Sequence, residues 1–252
     1  MIDMGLKSSF SSAFEASNLI DWWREAGVDE LVDEHPRDWL AKAVASPKPT
    51  TAPVVKAMTA APLPNELSAF VEWLMHDEAV PLGEPAARRV APIGAAGAPL
   101  MIVADVPEAG DVESGQLLSG EVGALVDRML AAIGRRRADA YVATVAPVRP
   151  ANGRLDDAAI TLATATTQRH VQLVAPDRLW LMGRAASRAV LGLDDVAASG
   201  QLHTVNLNGV SMKAIATVHP RILLTEEQAG GERKHRKRVW ADMQRLIAED
   251  AA

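Results

Sequence analysis

From residue 99 onward, short apolar runs alternate with longer stretches whose apolar positions recur every three or four residues. The runs at 100–104, 141–145, 178–182 and 214–218 hold few polar positions, as expected of strands buried on both faces. Helical periodicity fills the intervals at 120–133, 155–174 and 184–191, and a closing helix is predicted over 232–248. Strands that alternate with helices are joined by right-handed crossovers. The pattern therefore predicts an α/β domain, with a central four-stranded parallel sheet flanked by helices on both faces. Asn208-Gly209, set between His203-Thr204-Val205 and Val210-Ser211-Met212, predicts a hairpin leading into the last strand.

The first third of the chain is organised differently. Residues 17–45 carry short amphipathic patterns, with Ser17 as N-cap and Leu19, Trp22, Trp23 and Ala26 on one apolar face. Residues 46–64 shift to Pro, Ala, Thr and Lys, the composition of a solvated linker or an extended wrap. Asn65 is then placed to cap a helix whose Leu67, Phe70, Val71 and Leu74 follow helical spacing. Three parts are expected: a helical extension over 1–45, a linker over 46–64 and the α/β domain over 65–252.

Composition narrows the chemistry. The chain has no cysteine, which removes disulfides, thiolate nucleophiles, cysteine zinc sites and ordinary iron–sulfur ligation. No metal or cofactor is expected, and reactive groups must be carboxylates, histidines, hydroxyls or backbone. The first residues lack a basic stretch followed by an apolar run, and no segment approaches the length of a membrane span. A cytoplasmic location without membrane contact is expected. A net charge of −6 opposes bulk attraction to nucleic acid, yet local stripes at 135–137 and 233–238 can still meet phosphates. The second stripe reads equally well as the wet face of an amphipathic helix, and the six tryptophans read as packing residues.

Ligands of open parallel sheets bind beyond the carboxyl ends of the strands. Three segments fall there: 105–120, with four carboxylates and three glycines, 144–150, and 219–224 with His219-Pro220. The first reads either as a site loop or as an acidic surface turn, and a lone histidine reads either as a ligand contact or as a structural group. Walker, GxGxxG, HExxH and GxSxG signatures are absent.

Taken in order, these loops resemble those of the uracil-DNA glycosylase superfamily, specifically its family 4, over roughly residues 66–247. Helical and strand segments carry the likeness too: GEVGALVDRMLAAI at 120–133, LWLMGRAASRAVL at 179–191 and Arg238-Val-Trp-Ala-Asp-Met. The resemblance implies that Asp105, at the family's first-motif glutamate, and Asp111 orient the attacking water. It also implies that His219 stabilises negative charge on the departing base. Val106, Pro107, Glu108, Leu118 and Thr144 fall on the base pocket, and Arg221, Ile222 and Leu223 on the loop that wedges into the duplex. Arg233, Lys234, Arg236 and Lys237 are then candidate phosphate contacts.

The family's pattern is broken at several of these positions. Glu108 replaces a small glycine, and Leu118 replaces a stacking phenylalanine whose π face is worth about 1–3 kcal/mol per base. Thr144 replaces an asparagine, and one hydroxyl cannot offer the donor and acceptor that an amide presents to uracil. Pro147, Val148 and Ala163 stand where cluster cysteines or their neighbours belong, so the segment must be held by apolar packing. The resemblance thus implies a homologue impaired or inactive towards uracil, binding DNA or a repair partner. A glycosylase of altered base choice and a protein-binding module without DNA contact are the alternatives.

Overall fold

Alternate residues of a strand face opposite ways, and here that alternation builds two cores on the two sides of one sheet. The structure, a computed structural model, describes residues 63–83, 87–228 and 234–248, with Lys234 by its backbone alone. The predicted extension, Ser17, Trp22, Trp23, Trp39, the linker up to residue 62, and Arg233 lie outside the described residues. The strands are β1 (Leu100–Ala104), β2 (Ala140–Thr144), β3 (Arg178–Met182), β4 (His203–Leu207) and β5 (Val210–Thr217). The helices are α1 (Leu67–His76), α2 (Ala109–Ser114), α3 (Glu121–Ala132), α4 (Asp157–Val174), α5 (Arg184–Leu191), α6 (Asp195–Ala198), α7 (Pro220–Gln228) and α8 (Lys234–Ile247).

The sheet order is β2-β1-β3-β5-β4. The four predicted strands pair in parallel, and β4 adds a fifth, antiparallel edge strand through the Asn208-Gly209 hairpin. Both turn residues have positive φ, +49° and +89°, which suits a tight hairpin turn. On one face Met101, Val103, Leu179, Leu181 and Ala216 pack with Ile160 and Ala163 of α4 and Ala186 of α5. On the other, Ile102, Trp180, Met182 and Ile215 pack with Val126 and Leu130 of α3 and Met243 of α8. Helices therefore cover both faces, as the strand–helix alternation predicts.

Two local readings change. Asn65 does not cap α1: Glu66 is the N-cap residue, without a side-chain bond, and the Asn65 Oδ1 accepts from Arg169 at 2.5 Å. The segment after β5 is not a loop, because Pro220 opens α7, a first-turn position where its missing N–H costs nothing. Where family 4 carries cluster ligands, Val148 is buried and Ala163 sits in the core beside Leu155 and Ile160. Among the described residues no helix is long and apolar enough to cross a membrane.

Candidate functional site

Sheet register ends four strands on one row, Ala104, Thr144, Met182 and Thr217. The residues that follow occupy the carboxyl rim. Asp105 leaves β1 there, and its carboxylate lies against the start of α5, where the Ala186 amide donates to Oδ1 at 2.9 Å. Gly183 makes this approach possible: at φ +104° a Cβ would meet Asp105 Oδ2 at 2.5 Å. Burial holds the Asp105 pKa up, to about 6, with the Asp195 charge adding and the Ala186 bond and Arg221 opposing.

His219 leaves β5 on the same rim and is 4% exposed. Its Nδ1 accepts from the Arg221 amide at 3.3 Å, so the neutral ring carries its proton on Nε2. That buried Nε2 has no hydrogen-bond partner. Burial, reinforced by the Arg221 and Arg149 charges, pushes the imidazole pKa down to about 3 and keeps the ring neutral at physiological pH. A cleft of about 680 Å³ opens beside both residues, lined among others by Asp195, Arg221, Ile222 and His235.

Glu108 stands next to this pair. Its Oε1 lies 3.2 Å from Arg221 and 3.8 Å from His219 Nε2, and its Oε2 lies 3.6 Å from Arg149. Burial pushes its pKa up while the Arg221 and Arg149 charges pull it down. A buried neutral N–H donor and a carboxylate oxygen thus face one another without a bond, beside two guanidinium groups.

Comparison with known proteins gives the arrangement a family. A sequence profile described as the uracil DNA glycosylase superfamily matches residues 91–244. The chain belongs to that superfamily. Two curated relatives are type-4 uracil-DNA glycosylases. The one from Archaeoglobus fulgidus is 27% identical over 143 residues, 54% of this chain and 72% of the relative. The one from Pyrobaculum aerophilum is 25% identical over 140 residues, 53% of this chain and 71% of the relative.

Of the positions that the glycosylase pattern singles out, Asp105, His219, Arg221 and Ile222 line the cleft. The remaining pocket positions do not. Val106 belongs to the core on one face of the sheet and Leu118 to the core on the other. The Pro107 carbonyl accepts from Arg149 at 2.8 Å, and Thr144 ends β2, half-buried. Asp111 is 2% exposed, and both its oxygens are engaged: Oδ1 accepts from the Ser119 amide and hydroxyl at 2.7 and 2.8 Å, and Oδ2 from the Glu108 amide at 3.0 Å. Its carboxylate ties a loop together rather than facing the cleft. Leu223, Arg236 and Lys237 line a separate groove that shares no residue with the cleft.

A family 4 iron–sulfur cluster has no fit here, since the chain offers no thiolate and Val148 and Ala163 are packed in apolar surroundings. Among the described residues no three His, Asp or Glu side chains converge to hold a metal ion. Sequence reasoning missed the Glu226–His235 pair, at 2.6 Å in the cleft wall, and Arg149 as a partner of Glu108. His235 lies inside a basic run that reads as solvated surface. Arg149 lies within the second site segment, 144–150, where nothing local marks it as a partner of Glu108.

Proposed function

We propose that this superfamily member binds DNA but releases uracil far more slowly than its type-4 relatives. The observation that carries this reading is the Glu108 carboxylate, anchored by Arg149 and Arg221 within 3.8 Å of His219 Nε2. A base carbonyl seeking that donor would have to displace a charged, doubly paired side chain. Leu118 and Thr144 add to the loss, because neither lines the cleft. Contact with DNA would fall to Arg221 and to Ile222, 39% exposed at the cleft mouth.

A second reading, excision of a base other than uracil, is favoured by one observation: the cleft beside Asp105 and His219 is open. Above pH about 6 the Asp105 carboxylate is ionised and able to orient a water. His219 would donate its Nε2 proton in a hydrogen bond to charge building on the departing base.

The deciding measurement uses the purified full chain with end-labelled oligonucleotides carrying uracil, hypoxanthine or xanthine, abasic products being cleaved with alkali. We expect the DNA to be bound and uracil release to be at least ~10³-fold slower than by the Archaeoglobus enzyme under the same conditions, a lost polar match being worth about 10⁴–10⁵ in discrimination. Glu108→Gly is expected to raise uracil release at least ~10-fold. Multiple-turnover release of uracil at the relative's rate overturns the first reading. The second fails when no lesion is released and His219→Ala changes nothing.

A further inference from the structure

We propose that the groove between α3 and α8 is the docking site for an acidic amphipathic helix of a protein partner. The groove holds about 390 Å³ and shares no lining residue with the cleft. Its walls are apolar: Leu125 and Met129 from α3, Leu223 from α7, Val239 and Trp240 from α8. Trp240 is 41% exposed, although an indole of that size is ordinarily covered when the surface around it is also apolar.

The rim supplies the charge argument. Arg128 stands on the α3 side, and Arg236 and Lys237 on the α8 side, all exposed. The chain carries 32 acidic against 26 basic residues, so carboxylates are plentiful. Several arginines elsewhere find them, Arg137 with Asp127, Arg136 with Asp139, Arg188 with Asp194 and Arg245 with Asp242, while others such as Arg89 and Arg238 donate to backbone carbonyls. The three rim cations neither pair with a carboxylate nor make a hydrogen bond among the described residues. An apolar trough between two helices, edged by unpaired positive charge, is complementary to a helix with apolar residues at i, i+3, i+4 and i+7 and carboxylates beside them.

Single-stranded nucleic acid fits the same charges less well. Base stacking needs successive π faces, and this lining presents one indole among aliphatic side chains. The inference is independent of any glycosylase activity, because none of these residues lines the cleft.

The test titrates the full chain against a fluorescently labelled synthetic helix with leucine and tryptophan at the four anchor positions and glutamate elsewhere. The same helix with lysine in place of glutamate, and oligo(dT), are the comparison probes. We expect the glutamate helix to bind at least ~10-fold tighter than the lysine helix, with affinity falling as salt is raised. Trp240→Ala, and separately Arg236→Glu with Lys237→Glu, should each weaken it at least ~10-fold. The double charge reversal lies wholly on the surface and leaves folding intact, as circular dichroism would verify, and Glu108→Gly should leave this binding unchanged. Equal binding of the two helices, no binding of either, wild-type affinity in the variants, or displacement of the glutamate helix by oligo(dT) at that same surface each overturns the proposal.

Discussion

A methyl group added at Gly123 would sit 1.6 Å from the Leu118 carbonyl oxygen and 2.5 Å from its carbon. Both neighbours are backbone, and Leu118 is already held at φ +55°, so nothing nearby can yield cheaply. Gly123→Ala should therefore cost about 3 kcal/mol or more in urea unfolding, at or beyond the upper end of ordinary overpacking. A loss under ~1 kcal/mol would show that the loop gives way. The glycine itself is visible in the sequence, inside the helical stretch GEVGALVDRMLAAI, but its reason is not. The obstructing carbonyl belongs to a loop, and Arg137 pins that carbonyl at 2.6 Å from 19 residues further along the chain. Glu108 has the same history. Its departure from the family's glycine is legible, whereas its two arginine partners, one on a loop and one in the first turn of α7, are set by a tertiary approach that no local spacing encodes.

At the scale of elements, the acidic segment after β1 reads as a loop because of its glycines, and it holds a short helix instead. Glu108 and Asp111 stand three apart, the spacing of a capping box, and the Asp111 carboxylate accepts from the Glu108 amide at the start of α2. Asp111 then reaches across to Ser119, so one buried side chain closes both the start and the return of the loop. Asp111→Ala should destabilise the protein by ~2–3 kcal/mol, since hydrogen bonds to a charged group are lost and buried donors are left unmet. The urea midpoint measures this. If Asp111 served mainly to orient water, Asp111→Asn would instead abolish turnover while leaving the midpoint unchanged. The strands were the most legible elements, because an apolar run of five residues has few other homes. The fifth strand was signalled by Asn208-Gly209 alone, and the helix over Pro220–Gln228 was hidden by a His-Pro motif that reads as a loop.

For the whole molecule, burial moves titrating groups in opposing directions, two histidines downward and the carboxyls of Asp105, Glu108, Asp195 and Asp242 upward. His170, hydrogen-bonded to Tyr141 and covered by Phe70, is pushed down to about 3, as is His219, while Asp105 is pushed up to about 6. Each histidine binds a proton more readily unfolded, so its contribution is lost as pH falls below about 6.5. Asp105 binds its proton more readily folded, so its contribution is present below about 4 and lost as pH rises through 6. Between pH 4 and 6 the two histidines lose stability on acidification, while Asp105, with the other raised carboxyls, opposes that loss. Removing one opposing group in Asp105→Asn should tilt the pH dependence of stability towards loss in acid by up to about 1.4 kcal/mol per pH unit relative to the wild type. Urea midpoints at pH 4.5, 5.5 and 6.5 (chosen conditions, about one unit apart) compare the two proteins, and identical slopes would contradict the burial of Asp105.

The two-sided core was legible because strand alternation alone decides which residues share a face. The cleft and the groove were not, since each joins side chains from elements far apart in sequence. The apolar packing of Val148 and Ala163, in a chain without a single sulfhydryl, has a practical corollary. Apolar contacts hold these segments, so chelators and exposure to air should leave this protein's circular dichroism spectrum unchanged.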